Sequence, residues 1–239
     1  MRRLLVFCKE PVPGQVKTRL AASIGAEAAA DLAWALLRDT CRLAGVAARR
    51  SGARLELHHA PREPGPRLAA LLSELGCEAR PQSEGTLGER LAAGLSPNEE
   101  GRIALGSDAP DLPPEQIVAA FEQLDSGSAL ASPAADGGYV LLGLGPETPA
   151  QALTSPAIRW SSAHTLADTR AALETAGALW LPPLAGWSDL DEIEDLWALA
   201  DRLEGCPETA PASAAWIEAR RDRLPARTPP AAAADLDTL

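Results

Sequence analysis

The first strand-length segment of the chain, Leu4-Leu5-Val6-Phe7-Cys8, is apolar without interruption and ends abruptly at Lys9-Glu10. A strand with one wet face alternates polar and apolar residues, and this one does not. Burial on both faces is what a parallel strand inside a helix-covered sheet requires. The segments that follow keep to that plan. Thr18–Ile24 and Ala26–Arg49 carry helical patterns, with Trp34, Leu36, Leu37 and Leu43 as core contacts. Arg54–His59 reads as a strand, Arg67–Leu75 as a helix ending at Gly76, Leu87–Leu95 as a short helix, and Arg102–Leu105 as a strand. Pro113-Pro114 starts a helix through Leu124, since proline suits a first helical turn. Ala129–Ser132 and Tyr139–Leu144 read as strands, Ser161–Ala176 as a helix, Leu179–Leu181 as a strand and Asp191–Leu203 as a helix. Strands alternating with helices predict an α/β fold, a three-layer α/β/α sandwich around a mostly parallel central sheet.

A length of 239 residues suits one domain of this kind, expected over residues 1–205. Residues 206–239 are expected to add a helix near Ala212–Arg223 and an Ala/Pro-rich, disordered tail from Thr228. Hydrophobic residues reach 46% but aromatics only 4%, a balance that favours alanine-lined helices on a sheet over a β-sandwich. The net charge of −11 repels phosphate backbones and argues against nucleic-acid binding. No stretch approaches membrane-spanning length, and Met1-Arg2-Arg3 precedes too short an apolar run for a signal peptide. Cys8, Cys41, Cys77 and Cys206 lack zinc-site spacing, and Cys8 reads as a small core residue. The expected location is the cytoplasm.

In open α/β sheets ligands sit beyond the carboxyl ends of the strands. Four loops there carry suitable chemistry. In Lys9-Glu10-Pro11-Val12-Pro13-Gly14-Gln15-Val16-Lys17-Thr18-Arg19-Leu20, two prolines stiffen the chain and Gly14 permits a positive φ. Lys17 and Arg19 fall at a helix start, where free N–H groups favour an anion. The spacing is not that of a P-loop, and no G-x-G-x-x-G is present. Asp108, directly after the Arg102–Leu105 strand, suits Mg²⁺ or Mn²⁺, which prefer oxygen ligands, while Asp111 suits a helix cap by position. Asp136-Gly137-Gly138-Tyr139 reads equally as a turn or as an acceptor site. In Trp187-Ser188-Asp189-Leu190-Asp191, either aspartate can cap the last long helix or add a second metal carboxylate. His58 and His59 read as strand residues and His164 as a surface residue. There is no G-x-S-x-G of an α/β-hydrolase.

Taken in order, Lys9-x-Pro11-x-Pro13-Gly14-x-Val16-Lys17-Thr18-Arg19-Leu20, Gly85-Thr86-Leu87-Gly88-Glu89-Arg90, Gly106-Ser107-Asp108-Ala109-Pro110-Asp111-Leu112, Asp136-Gly137-Gly138-Tyr139-Val140-Leu141-Leu142-Gly143-Leu144, Trp160-Ser161 and Asp189-Leu190-Asp191 resemble the DUF2064 family. That family groups with the GT-A, nucleotide-diphospho-sugar transferase superfamily. The resemblance runs from Leu4 to about Leu203. It implies a metal-dependent transferase with a nucleotide-diphosphate donor. Lys9, Pro13, Gly14, Lys17 and Arg19 would border the diphosphate, and Gly85, Leu87 and Gly88 the nucleoside. Asp108 and Asp191 would hold Mg²⁺ or Mn²⁺. Asp136, Gly137, Gly138, Tyr139 and Trp160 would face the acceptor, with Asp136 as a general base. Two enzymatic readings share this geometry: glycosyl transfer from a nucleotide sugar to a small acceptor, and nucleotidyl transfer from a nucleoside triphosphate with pyrophosphate leaving. Pro11-Val12-Pro13-Gly14 stands where nucleotidyltransferases of this fold carry a Gly-Gly-rich loop, which favours glycosyl transfer. A nucleotide-binding protein without catalysis is the third reading.

Overall fold

A computed structural model describes residues 1–96 and 99–227. The predicted tail from Thr228 lies outside the described residues.

Among the described residues seven strands form one sheet: β1 (Arg3–Lys9), β2 (Arg54–Ala60), β3 (Glu78–Pro81), β4 (Arg102–Leu105), β5 (Ser128–Pro133), β6 (Tyr139–Leu144) and β7 (Leu179–Trp180). Their spatial order is β3-β2-β1-β4-β6-β5-β7. Only β6 runs against its neighbours, pairing antiparallel with β4 and β5. The helices are α1 (Thr18–Ile24), α2 (Ala26–Ser51), α3 (Pro66–Leu75), α4 (Leu87–Leu95), α5 (Pro114–Gln123), α6 (Thr165–Thr175), α7 (Ile193–Leu203) and α8 (Pro211–Glu218).

Strand periodicity sorts the core into two layers. Leu4, Val6 and Cys8 of β1 point with Leu57 of β2 toward α2, α3 and α5, where Trp34, Leu68, Ile117 and Phe121 are buried. Phe7 of β1 points the other way, toward Leu91 and Leu95 of α4 and Leu173 of α6. The unbroken apolar run of β1 therefore meets a helical layer on each face, as its sequence requires. Burial pushes the Cys8 thiol up to about 12, as expected of an inert core cysteine. A third cluster joins α1, α2, α7 and α8 through Leu20, Leu36, Leu199 and Trp216. There Asp39 of α2 accepts hydrogen bonds from Ala212 N, Ser213 N and Ser213 Oγ at 3.1, 2.7 and 2.7 Å, satisfying free N–H groups at the start of α8.

Several boundaries differ from expectation. The strand β3 was not anticipated, because Glu78-Ala79-Arg80-Pro81 has no apolar periodicity; it is a charged edge strand, as sheet edges commonly are. The helix expected from Ser161 starts at Thr165, since Ser161 has φ 55° and cannot lie within an α-helix. The helix expected over Ala212–Arg223 ends at Glu218, and a separate 3₁₀ turn covers Arg221–Arg223.

Candidate active site

β1 is flanked by β2 on one side and β4 on the other, so the chain leaves the carboxyl ends of β1 and β4 in opposite directions. Such a divergence opens a crevice at that edge. The loop after β1 delivers Lys17 to it, and the loop after β4 delivers Asp108. The third wall comes from residues 187–191, held by a parallel bridge between Ala134 and Trp187 and by the Leu190 N–H donating to the Asp108 carbonyl at 3.1 Å. That main-chain bond sets Asp191 beside Asp108.

Lys17 is the hub. Its Nζ lies 2.8 Å from Asp108 Oδ1 and 3.0 Å from Asp191 Oδ1, with the side chain only 6% exposed. Burial alone would lower the lysine pKa, but Asp108 and Asp191 outweigh it and hold it above the ordinary value. Lys17 is also left-handed, at φ 47° and ψ 45°, in the position just before α1. A non-glycine residue there costs on the order of 1 kcal/mol, so the surrounding contacts must sustain it. Arg19 extends the basic side, exposed, with NH1 3.7 Å from Glu192 Oε1 and 4.0 Å from Asp191 Oδ2. Lys9, Pro13 and Gly14 stay on the exposed part of the loop, where Gly14 has φ 77° and Lys9 Nζ folds back to the Gln15 carbonyl at 3.4 Å.

Beside this charged centre opens a cleft of about 220 Å³. Phe7, Leu87, Leu91 and Trp160 form apolar walls, and Gly106, Asp136, Gly138 and Asp189 form a polar rim. Asp136 Oδ1 accepts the Gly138 N–H at 2.8 Å, which folds the loop into a compact turn. Gly137, at φ 87°, accepts a hydrogen bond from the Leu166 N–H at its carbonyl oxygen, and a Cβ on it would sit 2.2 Å from the Ala163 oxygen. Glycine is thus required for the loop to dock on the segment before α6. Gly85 has φ 107° and leads into α4, whose first turn is closed by a capping box between Thr86 and Glu89. Gly88 is buried, and a Cβ there would meet the Leu153 oxygen at 2.2 Å and the Trp160 ring at 3.0 Å. It brings Trp160 against α4, so its role is packing of the cleft wall and not contact with the cleft.

Three expectations are corrected. Tyr139 contributes its ring to the cleft, but its hydroxyl is buried beside the Thr169 hydroxyl of α6, and burial raises its pKa; that hydroxyl does not face an acceptor. Asp111 does not cap α5, where Pro113 precedes the helix. It is buried, accepting Arg202 Nε at 2.6 Å and Trp187 Nε1 at 3.1 Å, and so anchors both α7 and the 187–191 loop. Neither Asp189 nor Asp191 caps α7; Glu192 does so in a reciprocal box with Asp195. Asp189 instead faces the cleft, where burial, followed by the charges of Asp136 and Asp191, pushes its carboxyl up to about 6. Its sequence signal was the density of aspartates in Asp189-Leu190-Asp191.

Among the described residues no group of three or more His, Cys, Asp or Glu side chains is arranged to hold a metal ion. Asp108 and Asp191 nonetheless converge on one cation, the Lys17 ammonium. Two hard carboxylate oxygens fit Mg²⁺ or Mn²⁺ when phosphate and water complete the shell.

Residues 43–162 match the family described as an uncharacterized protein conserved in bacteria, DUF2064. No curated protein sequence matches the chain. Among solved structures, a protein of Desulfovibrio desulfuricans G20 assigned as a nucleotide-diphospho-sugar transferase is similar at 25% identity and TM-score 0.77, over 92% of this chain and 95% of that one. A nucleotidyl transferase from Methanothermobacter thermautotroptrophicus shares the fold at 13% identity and TM-score 0.57, over 86% and 98% of the two chains. A cytidylyltransferase from Leptospira borgpetersenii does so at 10% identity and TM-score 0.55, over 92% and 94%. The sheet order with its single antiparallel strand, the carboxyl-edge crevice and the family match lead to one assignment: the chain belongs to the DUF2064 family and has the GT-A-like fold of nucleotide-utilising transferases.

Proposed function

We propose that the chain is a cytoplasmic, metal-dependent glycosyltransferase that moves a sugar from a nucleoside-diphosphate sugar to a small acceptor. The observation that carries this reading is the convergence of Lys17, Asp108 and Asp191 at the edge of an apolar cleft. The likeness to the Desulfovibrio protein supports it.

The chain's own groups divide the work. Donor phosphates draw the Lys17 ammonium, and Arg19 reaches the same oxygens with its planar fork. Asp108 and Asp191 are the carboxylates that would hold Mg²⁺ or Mn²⁺. Once bound, such an ion supplies positive charge opposite the departing diphosphate. Leu87 and Trp160 offer apolar surface to the donor's uncharged parts, and the cleft walls limit water. Asp136 keeps one oxygen on Gly138 and has the other for a proton from the acceptor hydroxyl.

A second reading, nucleotidyl transfer, has the α-phosphate of a nucleoside triphosphate attacked and pyrophosphate leaving. It draws on shared fold: a synthetase of CMP:2-keto-3-deoxy-manno-octonic acid, solved with CTP, is similar at TM-score 0.52 and 12% identity. The Pro11-Val12-Pro13-Gly14 loop favours the first reading, since its prolines remove the N–H groups that a glycine-rich loop would offer a triphosphate. The deciding experiment is a thermal-shift panel of nucleotides and nucleotide sugars with and without Mn²⁺, followed by product analysis. Release of a nucleoside diphosphate from a nucleotide sugar supports glycosyl transfer. Pyrophosphate release from a triphosphate overturns it, and no Mn²⁺-dependent shift with any nucleotide overturns both.

A further inference from the structure

The side of α4 away from the cleft faces a second, differently charged depression. It has a volume of about 390 Å³ and is lined by five arginines, Arg3, Arg62, Arg80, Arg90 and Arg102, against one carboxylate, Glu56. Concentrating five guanidinium groups in one groove is out of keeping with a chain of net charge −11.

Internal pairing absorbs only part of this charge. Glu56, 1% exposed, is shared by Arg3, by Arg80 at 3.5 Å and by His58 Nε2 at 3.1 Å. Arg80 also pairs with Glu78 at 2.5 Å. The other three are held differently. Arg90 Nε donates to the Gly85 carbonyl at 3.0 Å, and Arg102 NH1 to the Gly94 and Ser96 carbonyls at 3.0 and 3.3 Å. Arg62 is exposed and has no acidic partner among the described residues. Neutral carbonyls orient Arg90 and Arg102 without cancelling their charge, and the carboxylates of Glu56 and Glu99 offset only part of it at Arg102. Burial and then neighbouring Arg3 lower the Arg102 pKa, in keeping with a surplus of positive potential.

The groove is also shaped. Gly94 lies on its floor, where an added Cβ would approach the Phe7 ring at 2.7 Å and the His58 ring at 3.3 Å. The close packing of Phe7 on His58, at 5.0 Å between centroids, separates the groove from the cleft. The two depressions therefore share α4 as a wall but have different linings.

We propose that this groove is a second ligand site that takes a small polyanion bearing two or more phosphate or carboxylate groups. Several converging guanidinium forks suit a multiply charged ligand better than a single anion. Because Arg90 and Gly85 belong to the same helix start that borders the cleft, an occupant would also steady the Gly85–Gly88 segment.

The test uses the full chain carrying Lys17→Met and Arg19→Gln, which remove the two cations proposed to hold donor phosphates, with inorganic tripolyphosphate and citrate titrated by calorimetry. The expected result is a saturable one-site isotherm for at least one of them, with the tighter of the two identifying phosphate or carboxylate as the preferred group. Adding Arg62→Glu should weaken that binding at least tenfold, and Arg102→Gln should act in the same direction. Arg62 is exposed on a loop, so its variant keeps the fold, which an unchanged melting temperature would verify. Absence of saturable binding to either anion, or affinity indifferent to both arginine substitutions, overturns the proposal. Failure of the glycosyltransferase reading leaves this result untouched, since no nucleotide enters the experiment.

Discussion

The Lys17 ammonium stands between Asp108 Oδ1 and Asp191 Oδ1, at 2.8 and 3.0 Å, and so occupies the meeting point of the two carboxylates proposed to hold a divalent ion. A monovalent cation and a divalent one cannot share that point. Donor phosphates that draw Lys17 away would free both carboxylates, linking donor and metal binding through one side chain. Lys17→Met removes the competitor while keeping much of the side chain's bulk. Mn²⁺ should then bind the nucleotide-free protein about tenfold more tightly, a change of about 1.4 kcal/mol, while nucleoside diphosphates bind more weakly. Titration of Mn²⁺ followed by electron paramagnetic resonance reads the first effect directly. Unchanged Mn²⁺ affinity would show that Lys17 does not compete for the site.

Asp108→Asn separates charge from position. The loop that carries Asp108 is fixed by its main chain, through the Leu190 N–H, so the substitution should leave the fold in place. An amide is a poor replacement for a carboxylate on a hard cation. The Mn²⁺-dependent part of the nucleotide thermal shift should be lost, with metal affinity down at least about tenfold, since even indirect supports of a metal commonly cost that much. A full Mn²⁺-dependent shift in this variant would remove Asp108 from the metal site.

Much of the scaffold was legible because its signals are local. The unbroken apolar run of β1, the Gly76 stop of α3 and the Pro113-Pro114 start of α5 each depend on neighbours in sequence. The loops after β1 and β4 could be nominated as one site because the topology rule places all parallel strand ends at one edge. What was hidden depends on distant partners. Asp111 looked like a cap because a proline-led helix follows it, yet Arg202, ninety-one residues away, claims it instead. Asp189 was one more aspartate until the fold brought Asp136 beside it. The arginine groove draws its lining from β1, β2, β3, β4 and α4, and no window of sequence contains it.

Tyr139 separates ring from hydroxyl. The ring lines the cleft, but the hydroxyl is buried against the Thr169 hydroxyl, away from the cleft. A buried hydroxyl met only by another hydroxyl in poor geometry adds little to the folded state. Tyr139→Phe should therefore leave turnover within about twofold, which is under about 0.5 kcal/mol of barrier, and should hold or raise the melting temperature. A drop of two or more decades in kcat would show that the hydroxyl reaches the reacting groups.

Asp111 tests whether the site is held from behind. It is 3% exposed at the side chain and joins Arg202 of α7 to Trp187, which starts the segment ending in Asp191. Removing one member of a buried ion pair typically costs about 3–5 kcal/mol, because the other charge is left without compensation. Arg202 is 32% exposed and can recover part of its hydration, so Asp111→Ala should cost less, about 2 kcal/mol. The Trp187 indole N–H also loses its acceptor, which loosens the loop that places Asp191 next to Lys17. The variant should therefore lose stability in urea and, at temperatures where it stays folded, lose part of its nucleotide-plus-Mn²⁺ response. Arg202→Met, which leaves the Trp187 bond but strands the buried Asp111 carboxylate, should cost at least as much stability while keeping more of the ligand response. Equal ligand responses in the two variants would show that Asp111 supports the fold without aligning the site.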